Sequence, residues 1–223
     1  MSELTQEQHQ KIEEKVERRV HRDRVLLNNP VIMQGLGLAP LVIAASTGRN
    51  ALMLSVAVFL LLTPTRLLAA ALCRFVHARF RGAAYALSAS VIYIGMYWVM
   101  TRLFQSGDIT QLGLYLPLLV VDPIILKRYE RVQNEKLNTA LRKGIVTTLG
   151  YMLVLMIMGC VRELLGSGML FGHVIINIAL MPSALLPSGG FAVLAIVMAL
   201  WRSAVRVMKR SMAETEEDQW EVE

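Results

Sequence analysis

Gln34-Gly35-Leu36-Gly37-Leu38-Ala39-Pro40-Leu41-Val42 is echoed by Gln111-Leu112-Gly113-Leu114-Tyr115-Leu116-Pro117-Leu118-Leu119-Val120. Each copy sets glycine and then proline inside an apolar run. Proline removes a helix hydrogen bond and glycine is a poor helix former, so neither copy reads as one uninterrupted helix. Working outward, six apolar segments are found at about 31–47, 50–72, 83–102, 109–126, 144–161 and 189–207. The echoed motifs fall in the first and the fourth, so three crossings separate them, and an odd number inverts the second copy. Chance recurrence of Leu, Gly and Pro is the plain alternative, but the corresponding positions in the two halves favour a repeat. The fold expected is an all-α integral membrane protein. It has six transmembrane elements, arranged as two inverted three-helix repeats whose first and fourth helices are broken at Gly35, Gly37 and Pro40 and at Gly113 and Pro117. Such repeats place polar sites where broken helix ends face protein rather than lipid.

Composition supports the membrane reading. Of 223 residues, 55% are hydrophobic and only 18% charged, against roughly 45–50% and about 25% in soluble domains. The charge-free runs Val31–Gly48, Ala83–Thr101, Gly144–Val161 and Gly168–Trp201 reach the roughly 18 residues that read as a bilayer span. A soluble enzyme, a secreted disulfide scaffold and a disordered chain are excluded. The last run is too long for one upright span; Pro182, Pro187 and Gly189-Gly190 divide it into a loop or interfacial segment at 168–188 and the sixth span. The net charge of +6 suits anionic lipid headgroups better than nucleic acid, because no basic groove motif accompanies it.

Basic residues give a direction. With the N-terminus inside, the inner segments hold 19 Lys and Arg, and the outer side holds Arg49, Arg102 and Arg162. This asymmetry puts both termini of a multi-pass membrane protein in the cytoplasm. Residues 1–29 are polar, so no secretory signal peptide is expected; they read as an amphipathic segment at the membrane surface, with Ile12, Val16, Val20 and Leu27 on one stripe. Residues 30–207 form the membrane domain and 208–223 a mobile acidic cytoplasmic tail. Residues 127–143 read as a basic cytoplasmic helix that binds lipid headgroups or a soluble partner.

Three motifs in order, Asn28–Pro40, Arg162-Glu163-Leu164-Leu165-Gly166-Ser167-Gly168 through Gly172, and Leu186-Pro187-Ser188-Gly189-Gly190-Phe191, resemble the Rnf/Nqr small membrane subunits. These are paired six-helix subunits of the ion-translocating ferredoxin:NAD and NADH:quinone reductases. The similarity covers roughly residues 25–207, and the long leading segment favours the branch formed by the E-type Rnf and D-type Nqr subunits. The resemblance implies an inverted-topology paralogue and other membrane subunits as partners. It also implies a [2Fe–2S] cluster held by one cysteine from each inverted half and bridging two subunits. Here the first cysteine position is Ala39 and the second, after Asp122, is Pro123. Neither a methyl group nor a proline ring ligates iron. Cys73 and Cys160 are expected at opposite membrane faces, so no cofactor and no metal is predicted in this chain.

Asp122 and Arg66 are ionisable residues inside apolar segments. Asp122 is read either as a cap before Pro123 that pairs with Lys127 or Arg128, or as the partner of Arg66 in a buried tie between the halves. Arg66 alone would snorkel. Arg162 and Glu163 read as an interfacial ion pair that anchors a turn, or lines an entry for cations. His173 and Asn177 lie one helical turn apart and could contact an ion. No Walker loop, catalytic triad or dinucleotide-binding glycine pattern occurs. The function expected is a non-catalytic subunit of an Rnf/Nqr-like complex, serving as scaffold or ion path. The alternative is a stand-alone or homodimeric small-solute or cation transporter on the same fold.

Overall fold

With no water in a bilayer core to bind backbone N–H and C=O groups, charge-free segments must satisfy them internally, and helices do so. The computed structural model describes residues 6–122, 124 and 137–222. In chain order it forms α1 (Gln6–Arg22), α2 (Pro30–Gln34), a π turn (Pro40–Ala44), α3 (Gly48–Leu72), a 3-10 turn (Ala78–Phe80), α4 (Arg81–Leu103), α5 (Ser106–Leu112) and α6 (Tyr115–Leu118). A 3-10 turn (Leu119–Val121), α7 (Leu137–Ser167), a two-residue hairpin ladder (Met169–Leu170 with His173–Val174), a 3-10 turn (Pro182–Leu185) and α8 (Pro187–Val222) follow.

Among the described residues, four helices are long and apolar enough to cross a membrane: α3, α4, and the greater parts of α7 and α8. The two echoed segments are short broken pieces. Gly35 ends α2 in the left-handed region at φ +66° and Gly37 follows at φ +71°. Gly113 separates α5 from α6. The segment 168–188 carries the small ladder rather than purely irregular chain, a minor departure from an all-helical reading.

Helices α3 and α7 form the centre, antiparallel and in register along their length. Gly48 meets Glu163 at one end, Gly159 meets Ala51 and Thr47, Thr63 Oγ1 lies 3.0 Å from Thr148 Oγ1, and Gly144 meets Arg66 at the other end. A Cβ on Gly159 would stand 2.4 Å from that of Ala51, so this small residue sets how closely the helices approach. Pro64 is accommodated inside α3, which continues unbroken to Leu72.

Two expectations about the ends need correction. The stripe Ile12, Val16, Val20 and Leu27 is buried, and what covers it is α8 around Val205, Trp201 and Met212 rather than lipid. The acidic tail does not hang free as far as residue 222: α8 runs through it. Its Glu216 is buried and bonded to Lys15 and, at 3.0 Å, to Arg19 of α1. An apolar stripe is satisfied as well by a neighbouring helix as by lipid, and here a buried carboxylate fixes the choice. Residues 127–136 of the basic segment lie outside the described residues; 137–143 begin α7.

Candidate functional site

The polar groups collect at the end of α7 beside the hairpin. Arg162 is fully buried. Its Nε donates to the carbonyl of Ala184 (2.8 Å), and Nη1 to those of Leu41 (3.1 Å), Val42 (2.7 Å) and Ala45 (3.0 Å). Nη2 donates to Leu185 (3.0 Å) and Leu186 (3.3 Å). These carbonyls belong to the π turn, the Pro182–Leu185 turn and the chain entering α8. Most are carbonyls that the ends of short or broken helices leave to other donors, and a cation satisfies them; that of Leu186 also accepts the Gly190 N–H at 2.9 Å.

Glu163 faces the other way. Its carboxylate accepts the N–H groups of Gly48 (2.7 Å), Phe171 (3.1 Å) and Gly172 (3.1 Å). Gly48 opens α3, where free N–H groups and the helix dipole favour an anion. The expected Arg162–Glu163 ion pair is therefore replaced. Successive helix residues point about 100° apart, and each charge serves its own backbone site. His173 and Asn177 are exposed and not in a helix, so helical spacing does not bring them together.

At the opposite end, Arg66 is buried on α3 beside Gly144 and Thr63. Asp122 is buried and accepts Ile124 N–H at 2.8 Å, a local side-chain-to-backbone bond of the Asx type. Pro123, Lys127 and Arg128 lie outside the described residues. Tyr151 of α7 donates its hydroxyl to the Gly37 carbonyl at 2.9 Å. Gly37 is doubly constrained, because a Cβ there would stand 2.8 Å from the Tyr151 hydroxyl.

Ala39, at the start of the π turn, is exposed. Cys160 follows the Gly159–Ala51 contact at one end of α3, whereas Cys73 follows the other end. The helical rise separates them by about 35 Å. The two thiols present cannot share one cluster.

Sequence reasoning missed the buried Asn29. It accepts Val31 N–H (2.9 Å) and donates to the carbonyls of Val25 (2.9 Å) and Gly150 (2.8 Å), tying the start of α2 to α7. An Asn before Pro is a helix-start signal, but its long-range bond has no local trace. Arg202 likewise donates to the Ile32 carbonyl from Nε (3.1 Å) and Nη2 (2.8 Å), closing the end of α2.

A polytopic helical membrane protein with interrupted helices and tethered charges on their ends is the class these features define. The family model described as "Rnf-Nqr subunit, membrane protein" matches residues 18–198, and the chain belongs to that family. It is 34% identical over 204 residues to the E subunit of the ion-translocating oxidoreductase complex of Cellvibrio japonicus, covering 82% of this chain and 84% of that one. The corresponding E subunits of Edwardsiella ictaluri and Shewanella oneidensis are each 32% identical over 65% of this chain. The match spans only about three fifths of the length of those two relatives, 61% and 62% respectively.

Proposed function

We propose that this chain is an integral membrane subunit of an Rnf/Nqr-like, ion-translocating electron-transport complex, of the E-type branch, and that it holds no iron–sulfur cluster of its own. The observation that carries the reading is the family match over residues 18–198, joined to Ala39 at the first thiol position. In this reading the chain is a scaffold or half of an ion path, and electrons travel through neighbouring subunits.

The fold proposed is two inverted three-element repeats with both termini cytoplasmic. What supports it is the antiparallel α3–α7 pair, each helix preceded by an interrupted segment and each carrying an arginine near its C-terminal end. Arg66 stands six residues before Leu72, and Arg162 five before Ser167. Buried Asp122 and Arg66 would line the inner end of the path, as Arg162 and Glu163 line the outer. The partners proposed are the inverted-topology paralogue, other membrane subunits and anionic lipid. The exposed Ala39 and the exposed apolar faces of α4 (Leu87, Ile94) and α8 (Ile196, Leu200) offer surface for membrane partners and lipid.

Affinity purification of the tagged chain from its native membranes tests the reading. Co-purification of flavin-bearing and further membrane subunits is the expected result. Recovery of a homodimer alone would favour a stand-alone transporter. The chain purified by itself and reduced anaerobically should give no stoichiometric [2Fe–2S] EPR signal and no matching iron content. A stoichiometric signal would restore the cluster and overturn the account of Ala39 and Pro123.

A further inference from the structure

The six carbonyls around Arg162 come from three backbone segments and converge on one planar cation. Its hydrogen-bond partners among the described residues are all neutral carbonyls, while the neighbouring carboxylate of Glu163 is committed to three amides. Compensation by carbonyl dipoles alone is the chemistry of backbone cation sites at broken helices. The charge that these dipoles compensate here is the single positive charge of the guanidinium. Its shape is specific too. A Cβ on Gly190 would stand 2.9 Å from both Arg162 Cζ and the Val42 carbonyl, so the wall of the cage lies against the flat guanidinium. Five N–H donors in a planar fork meet six acceptors here, where an ammonium brings only three.

We propose that this cage is a binding site for planar monovalent cations of the guanidinium class, with Arg162 as its built-in occupant. The tethered cation fastens the π turn, the Pro182–Leu185 turn and the start of α8 to α7. Emptying the cage by Arg162→Ala creates a site for a free guanidinium ion. This holds whether or not the chain serves an Rnf/Nqr-like complex.

Thermal unfolding of the purified full chain tests it, with methylguanidinium as the probe and methylammonium as the matched salt. Arg162→Ala is expected to unfold well below the wild type. Methylguanidinium at ten to a hundred times its Kd should raise its Tm by about 3–8 °C, with methylammonium weaker and the wild type unmoved. Arg162→Lys should lie between the wild type and Arg162→Ala. Should Arg162→Ala fail to accumulate, it is synthesised cell-free into nanodiscs; recovery only with methylguanidinium supports the proposal, and failure with and without it overturns it. Equal responses of wild type and variant, or no response in either, also overturn it.

Discussion

Asn29 shows how much one buried amide can connect. It caps α2 through Val31 and reaches across to the Gly150 carbonyl, leaving its carbonyl oxygen and amide nitrogen satisfied. Asn29→Ala removes the cap and the tie to the Gly150 carbonyl, which keeps only its intrahelical bond. The expected cost is about 1–3 kcal/mol, read as a lower Tm of the full chain in detergent. Asn29→Asp keeps the acceptor for Val31 but cannot donate to Gly150, so it should recover only part of the loss. A Tm equal to wild type for Asn29→Ala would show that the Gly150 bond carries no net stability. The candidate polar residues were legible one by one, because an ionised group in an apolar run stands out. Their partners were not. Arg162 and Glu163 look like a pair because they are adjacent, yet adjacency on a helix separates side chains, and both found backbone groups that no sequence pattern marks.

At the scale of elements, the breaks were readable and the docking was not. Glycine and proline announce the interruptions at Gly35, Gly37 and Gly113 through their own backbone chemistry. The stripe Ile12, Val16, Val20 and Leu27 was equally plain, but periodicity says which face is apolar and not what covers it. The cover is α8, and Glu216 is the polar fastening. The hydrogen bond from Lys15, with the further charge of Arg19, holds the Glu216 carboxyl below its ordinary range. A lowered carboxylate gives stabilisation that is complete above the ordinary glutamate value and is lost as pH falls through the lowered one. Docking of α1 on α8 should therefore be pH-independent near neutrality and loosen in acid. Hydrogen exchange across residues 11–20 should quicken several-fold in Glu216→Gln at neutral pH. In the wild type it should quicken only once acid protonates this carboxyl. Unchanged exchange in the variant would mean that the apolar stripe alone holds the helices together. The ion pair of Arg49 with Asp108 (2.6 Å) is exposed on its arginine side and contributes little by comparison.

For the whole molecule, composition and charge-free run length carried the membrane assignment, and basic-residue asymmetry carried a direction. That direction has a direct check. In a background with Cys73→Ala and Cys160→Ser, Gly107→Cys and Val174→Cys place thiols at exposed positions of the proposed outer face. A membrane-impermeant maleimide should label both in intact cells, whereas thiols added at either terminus should react only after lysis. The reverse pattern would invert the topology. What run length could not give was the true extent of the helices. Helix α7 begins before its apolar run and ends after it, and α8 is the larger surprise. It continues through a charged segment because Arg206, Lys209 and Arg210 are good helix formers, and because α1 supplies a neighbour for its apolar side.

That continuity has a mechanical meaning. At 36 residues, α8 is a rod about 54 Å long, of which a hydrocarbon core of about 30 Å encloses little more than half. Arg162 clamps the chain at its entry, just before Pro187, and Glu216 holds α1 near its far end. A tilt of about 10° at the clamp displaces the far end by about 9 Å, so a small reorientation inside the bilayer becomes a displacement of several ångströms at the surface, carried by one unbroken lever.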